Sequence, residues 1–329
     1  MPEPRVSVLM PVFNSAPFLS ASIASLLNQT LADIQIVTIN DGSTDGSGEM
    51  LSRLAAADRR IEVYHRPNRG IVATLNEGIE LCRGEFIARM DADDIALPQR
   101  LEQQLAHMQS RPATLALGSA IQYLGPYGLT AIRTHPPVAA SDVERELPRR
   151  NCISHPTVMF RKHAVQAVGG YRPPYVHAED YDLWLRLRSR GSLENLPQVL
   201  LQYRIHQGQI SARHLRVQAI SVAAARLNII PTEVPAAVAE ASILDSVSGW
   251  VALLIKTRQL NAAAELMQND DFFKLPTCRR QSRARRRWLA ARWHWARGDK
   301  MAAAAGLLQT AINDPAWLVK TGCKIFTRR

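Results

Sequence analysis

The stretch Gly84-Glu85-Phe86-Ile87-Ala88-Arg89-Met90-Asp91-Ala92-Asp93-Asp94 sets the reading of the whole chain. Its first half is a short apolar run that reads as a buried strand. Three carboxylates then crowd the strand's end. Like charges this close raise one another's pKa unless a cation sits among them. Two readings stand side by side. In one, the acids form a solvated turn, and Asp94 with Ile95-Ala96-Leu97-Pro98 opens the next helix. In the other, they form a divalent-cation site. Mg²⁺ and Mn²⁺ take oxygen ligands and are commonly held by one or two carboxylates plus substrate phosphates. Ligands of open α/β sheets also bind beyond the carboxyl ends of the strands.

Working back from this stretch, strands and helices alternate. Val6–Met10 reads as a strand stopped by Pro11. Apolar residues at Phe18, Leu19, Ile23, Leu26 and Leu27 give a helical period over Pro17–Asn28. Ile34–Ile39 is a second strand, followed by the turn-rich loop Asn40-Asp41-Gly42-Ser43-Thr44-Asp45-Gly46-Ser47. A helix over Gly48–Ala57, a strand over Ile61–His65 and a helix over Ile71–Cys82 complete the alternation. Such a pattern predicts βαβ units and a mostly parallel sheet with four polar loops on one edge. The loop starting at Asp41 fails as a calcium loop, because Ser52 stands where a bidentate Glu is needed. There is no G-x-G-x-x-G and no G-x-x-x-x-G-K-[ST].

Working forward, Leu101–Met108 reads as a helix and Leu115–Ile121 as a strand. Asn151-Cys152-Ile153-Ser154-His155-Pro156 precedes a strand over Thr157–Phe160. Then comes Glu179-Asp180-Tyr181-Asp182-Leu183-Trp184-Leu185-Arg186-Leu187, an amphipathic helix with acids in its first turn. Those acids are either a charged helix start or a general base poised over a cleft. Trp184 and Leu187 read as core. Val199–Arg204 reads as an edge strand leading to Ile205-His206. A lone histidine such as His206 is more often a surface or core residue than a ligand, and His155 reads as a loop hydrogen-bonding group.

Composition bounds the rest. The chain has 329 residues, 47% of them hydrophobic, enough for two domains with a real core. Residues 1–212 hold 21 Lys+Arg against 21 Asp+Glu, whereas residues 213–329 hold 19 against 8, so the formal charge of +11 belongs to the last third. Cys82, Cys152, Cys278 and Cys323 form no CxxC pair and suggest neither a metal nor a disulfide framework. The first strand begins too early for a signal peptide, and the best apolar run, Ala236–Ile255, is interrupted by Glu240 and Asp245. A cytoplasmic protein, soluble or peripheral at the inner face of the cell membrane, is expected.

From residue 213 the sequence turns helical and alanine-rich. Leu215–Leu227, Ala236–Leu244, Val247–Thr257, Ala262–Met267, Arg283–Arg297 and Met301–Ile312 are predicted helices. The stretch from Trp288 to Pro315 vaguely resembles half of a tetratricopeptide-type hairpin. Arg279–Arg287 holds six arginines in nine residues, followed by Trp288, Trp293 and Trp295. An anionic membrane surface is the preferred partner for this stretch, with a plain packing surface next. No recognised nucleic-acid module accompanies it, so no nucleic-acid partner is expected.

Eight short motifs, in order over about 200 residues, resemble those of family 2 inverting glycosyltransferases of the GT-A fold, in particular bacterial enzymes of cell-surface polysaccharide synthesis. They are Val6–Asn14, Asn40–Asp45, Arg69–Gly78, Met90–Asp94, His155–Arg161, Gly169–Tyr171, Glu179–Leu187 and Tyr203–His206. The family commonly shows Asp-Asp-Gly-Ser where this chain has Asn40-Asp41-Gly42-Ser43. The resemblance implies an α/β catalytic domain over 1–212, Rossmann-like with a mostly parallel central sheet flanked by helices, and the helical pattern beyond it gives an all-α domain over 213–329. It implies that Pro11, Phe13, Asp41 and Arg69 line a base pocket, with Asn14 also among the nucleotide-binding residues. Asp91 would hold the ribose side, Asp93 and His206 an Mg²⁺ or Mn²⁺ ion, Asp180 would be the catalytic base, and Glu179 would support it or bind the acceptor. The implied reaction is metal-dependent transfer of a sugar, with inversion, from a nucleotide-diphosphate sugar to a hydroxyl of a glycan or glycolipid. Two rivals remain. A nucleotidyltransferase would share the acidic ligands, but Pro11–Ser15 lacks the expected glycine- and lysine-rich loop. A non-catalytic assembly module would have no need to retain Asp41, Asp91, Asp93 and Asp180.

Overall fold

A computed structural model describes residues 3–206, 214–257, 259–268, 279–299 and 301–303, without the side chains of 279–285. The chain divides into two compact units, Met1–His206 and Gln207–Arg329. The division falls slightly ahead of the predicted 212/213 boundary, which itself lies outside the described residues.

The first unit is built on a nine-stranded sheet: β1 (Val6–Val12), β2 (Ile34–Asp41), β3 (Ile61–Arg66), β4 (Phe86–Arg89), β5 (Ile95–Ala96), β6 (Thr114–Gly125), β7 (Gly128–Arg133), β8 (Met159–Arg161) and β9 (Ser192–Arg204). The spatial order is β3-β2-β1-β4-β8-β6-β9-β5, with β7 beside β6. β3, β2, β1 and β4 run parallel. β8 is antiparallel to both β4 and β6, and β9 is parallel to β6. Val6, Val8, Leu9 and Met10 of β1 and Ile36, Val37 and Ile39 of β2 are fully buried. Strands covered on both faces read as continuous apolar runs, which is why these were visible in the sequence.

Helices α1 (Ala16–Leu27), α2 (Ser47–Ala57), α3 (Ile71–Leu81) and α4 (Arg100–Ser110) connect the early strands, and α5 (Ala140–Glu146), α6 (Lys162–Ala167) and α7 (Glu179–Leu187) the later ones. Leu19, Ile23 and Leu26 of α1 pack into the same core as Val8, Met10 and Ile36. The parallel topology brings the ends of β1, β2, β3 and β4 to one edge, and the acidic turn stands there.

Three expectations need correction. The strand predicted at Thr157–Phe160 is a 3₁₀ turn over His155–Thr157 followed by β8. The Thr157 hydroxyl donates to Ser154 O at 2.7 Å, closing that turn instead of extending a strand. The predicted edge strand Val199–Arg204 begins already at Ser192, and it is not an edge, because β5 pairs with Leu201 and Gln202. The helices predicted at Ala236–Leu244 and Val247–Thr257 are one.

That single helix belongs to the second unit, which contains α8 (Leu215–Leu227), α9 (Ala236–Lys256), α10 (Leu260–Gln268) and α11 (Arg279–Ala296). Asp245 and Ser246 interrupt the apolar pattern, but no proline breaks the helix, and Gly249 is accommodated within it. α9 is long and apolar enough to cross a membrane by length and composition alone. Here Ile243, Leu244, Val247, Val251, Leu254 and Ile255 are buried, and α9 packs on α8, α10 and α11, as the central helix of a bundle would. The predicted helix Met301–Ile312 lies outside the described residues beyond 303.

Candidate active site

β4 ends at Arg89 and delivers the acidic turn. One carboxylate oxygen from each of Asp91, Asp93 and Asp94 lies within 4.8 Å of the others. Asp94 does not open the next helix. It is followed by β5, and α4 begins at Arg100 after Gln99. The simple capping reading of the turn is therefore removed. Buried Arg89 holds Asp91 with both Nη atoms, at 2.7 and 2.6 Å. Arg100, fully buried, donates from Nη2 to Arg89 O at 2.7 Å. Burial, and after it the charges of Asp93 and Asp91, push the Asp94 carboxyl well above its ordinary range. Burial also raises Asp91, outweighing the opposing pull of Arg89. Three crowded acids with one bidentate arginine are short of positive charge. A hard divalent cation fits that deficit and that donor set.

The second acidic motif opens α7. Asp180 accepts the Tyr181 N–H at 2.7 Å and the Asn151 amide at 2.8 Å. Burial raises its pKa, and those hydrogen bonds oppose the rise. Glu179 is buried, its Oε2 has no partner, and burial together with the Asp180 charge raises it to about 7. The Arg89 charge favours the ionised forms of Asp91, Glu179 and Asp180 alike. The third acid, Asp182, is taken up by Arg172 and by Arg186, the latter at 2.8 Å, and ties α7 to the preceding loop. His155 Nε2 and the Tyr171 hydroxyl are hydrogen-bonded at 2.8 Å. Burial holds His155 well below the usual imidazole range, hence neutral, a structural role.

The sequence profile of glycosyl transferase family 2 matches residues 7–168. The O-antigen biosynthesis glycosyltransferase WbnJ of Escherichia coli is 33% identical over 205 residues, 61% of this chain and 80% of that protein. The amylovoran biosynthesis glycosyltransferase AmsE of Erwinia amylovora is 33% identical over 211 residues, 63% of this chain and 79% of that protein. The chain belongs to glycosyl transferase family 2. Its fold is GT-A. S. aureus TarS 1–349 in complex with UDP-GlcNAc superposes with a TM-score of 0.55 at 14% identity, covering 93% of this chain and 91% of that one. The mannosyltransferase PcManGT of Pyrobaculum calidifontis, in complex with GDP-Man and Mn²⁺, gives 0.54 at 18% identity, covering 93% and 87%.

On the transferase's other loops, Asp41 is organised by its neighbours. Its Oδ1 accepts Arg69 N–H at 2.9 Å and lies 3.0 Å from Arg66 Nη2, and its Oδ2 accepts Gly70 N–H at 2.9 Å. A carboxylate has about four lone-pair sites, so one is left, on Oδ2. Phe13 is 53% exposed at the end of β1, beside half-buried Pro11. The Arg69 side chain reaches outward, 3.6 Å from Glu77. Asn14 Oδ1 accepts the Thr44 N–H at 2.8 Å and pins one loop to the next. A cleft of about 700 Å³ beside α3 includes Arg69, Glu77, Gln166 and Gly170 but none of Asp91, Asp93, Asp94, Glu179 and Asp180. On the far side of the acidic turn, His206 Nε2 stands 2.8 Å from Asp93 Oδ2. Sequence reasoning missed Arg66, Arg89 and Arg100. The one available signal was Arg89 itself, a cation placed directly ahead of three acids.

Proposed function

We propose that the transferase moves a sugar from a nucleoside-diphosphate donor to a hydroxyl of a glycan or glycolipid, with inversion and with the help of a divalent cation. The observation that carries this reading is the clustering of Asp91, Asp93 and Asp94 within 4.8 Å of one another at the end of β4, in a domain whose α7 opens with Glu179 and Asp180. One motif suits the donor's diphosphate and the other the acceptor. Asp93 and His206 would hold the ion, and a bound divalent cation stabilises charge on the departing diphosphate. Asp91, fixed by Arg89, would take the ribose side. The exposed Phe13 ring offers a stacking face for the base, and the last lone pair of Asp41 offers an acceptor for a base N–H. Asp180 removes the acceptor hydroxyl's proton as its oxygen bonds to the sugar's anomeric carbon. The bond from that carbon to the diphosphate oxygen breaks on the opposite side. A raised pKa suits a general base working near neutrality. Glu179 beside it supports the base or binds the acceptor.

The donor class is supported by the UDP-GlcNAc and GDP-Man complexes of the two structural neighbours, and a polysaccharide precursor as acceptor by the names of WbnJ and AmsE. The test is a screen of UDP- and GDP-sugars with lipid-linked and soluble glycan acceptors, with Mn²⁺ and with EDTA. Product anomers would be read by NMR. Transfer with inversion, lost in EDTA and in Asp93→Ala, is expected. Asp180→Asn should lose about 10²–10⁴ in kcat with donor affinity nearly unchanged. Retained anomeric configuration, full activity in EDTA, or pyrophosphate release from a nucleoside triphosphate would sink the reading.

A further inference from the structure

We propose that Asp94 and Arg204 form a clasp that positions His206 against Asp93, so that Asp94 sets cation affinity without itself touching the ion. This rests on the metal reading above and assigns a role to a residue that the reading leaves idle.

The argument starts from register. β5 is two residues long, and its pairing sets Ile95 opposite Gln202 and Ala96 opposite Leu201. Antiparallel continuation places Asp94 and Asp93 beside Tyr203 and Arg204. A two-residue ladder is a weak device for holding register. The side chain of Asp94 extends it, with Oδ1 accepting the Arg204 N–H at 2.8 Å. In return, Arg204 Nε donates to Asp93 O at 2.7 Å. The Arg204 guanidinium lies over the Phe18 ring at 4.8 Å, and the His206 ring meets the same phenyl group at 4.7 Å. Phe18 of α1 is thus a shared platform that fixes both residues. Two positions past the clasp, His206 reaches Asp93 Oδ2 at 2.8 Å.

Asp94 is completely buried, and its Oδ2 has no hydrogen-bond partner. A buried, half-satisfied carboxylate is costly and calls for an explanation. The clasp accounts for its Oδ1, and outer residues that orient ligands are worth about 10–100-fold in metal affinity.

The test is titration of the full chain with Mn²⁺, with and without UDP or GDP, followed by the EPR signal of the free ion. Asp94→Ala should bind Mn²⁺ about 10–100-fold more weakly. Asp94→Asn keeps Oδ1 as an acceptor and should stay close to native. His206→Ala should also weaken binding, and the double variant Asp94→Ala/His206→Ala should be no weaker than His206→Ala, because the clasp acts through that ring. Arg204→Met, run in parallel in case Asp94→Ala fails to fold, loses the hold on Asp93 O and should weaken binding in the same non-additive way. Losses that add, an Asn variant as weak as the Ala one, or native affinity in both Asp94→Ala and Arg204→Met would overturn the clasp. The second of these would make Asp94 a direct ligand. A native protein that binds no Mn²⁺ under any of these conditions removes the metal reading first, and the clasp with it.

Discussion

Glu179 shows how a single buried group leaves its mark on the whole protein. Its carboxyl has one unpartnered oxygen and lies beside Asp180, and its pKa rises from the ordinary 4.5 to about 7. Between those values the folded chain keeps a proton that the unfolded chain has lost. Stability therefore falls as pH rises through that window, since the unfolded state binds fewer protons there. Asp91, Asp94 and Asp180 are shifted upward too and add to the same slope. Glu179→Gln removes one contributor and keeps the shape. Chemical denaturation without metal at pH 5 and pH 7.5 should show a smaller drop for the variant than for the native protein. An identical drop in both would mean that Glu179 is ionised in the fold and that Arg89 dominates it.

At the scale of elements, the loops that frame the site depend on close backbone approaches. Gly42 has φ of +76°, and a Cβ there would lie 2.7 Å from Asn68 N in the loop that leads to α3. Gly46 has φ of +90° with open space around it. Gly46→Ala should cost roughly 1–2 kcal/mol for the left-handed backbone. Gly42→Ala should cost more than that and should also weaken nucleotide binding, because Asp41 next to it loses its alignment with Arg69 and Gly70. Thermal unfolding and nucleotide titration of the two variants check this, and equal effects from both would remove the close-approach argument. The same loops explain what could be read beforehand. β1, β2 and β4 announce themselves as apolar runs because both faces are covered. β9 does not, since Ser192–Gln198 reads as a polar loop. Its buried Glu194 accepts from Thr114 at 2.7 Å and Arg111 at 2.9 Å, and its buried Asn195 donates from Nδ2 to Pro137 O at 2.8 Å. Those partners come from distant parts of the chain. Three-residue β8 likewise exists only through its neighbours. In the site, the acids are legible because their chemistry is local. Arg66, Arg89 and Arg100 are not, because arginine is rarely buried and nothing in the sequence near Arg66 or Arg100 marks it as an exception.

At the scale of the whole molecule, charge is spread unevenly along the chain. The net +11 sits entirely in residues 213–329. The expectation of a membrane surface combined that charge with three tryptophans, and the described side chains divide them. Trp288 is buried beneath Arg292, whose guanidinium lies 4.7 Å from its ring. Trp293 donates from Nε1 to Leu260 O at 2.9 Å and so joins α11 to α10. Trp295 alone of the three is largely exposed, at 57%. Aromatic anchoring at an interface needs rings free to enter it, so that part of the expectation weakens. The electrostatic part rests on the net charge alone, and each basic residue near an anionic surface contributes roughly 1 kcal/mol, screened within a Debye length of about 8 Å at physiological salt. We therefore expect attraction without insertion. Sedimentation with vesicles rich in phosphatidylserine should carry the protein down at low salt and release it at high salt. Arg286→Gln/Arg287→Gln, combined with Arg283→Gln and Arg285→Gln, should lower the bound fraction while leaving transfer to a soluble acceptor intact. Trp295→Ala should change it little. Salt-resistant binding lost in Trp295→Ala would restore the insertion reading. No binding at low salt would leave the arginines to packing or to a protein partner.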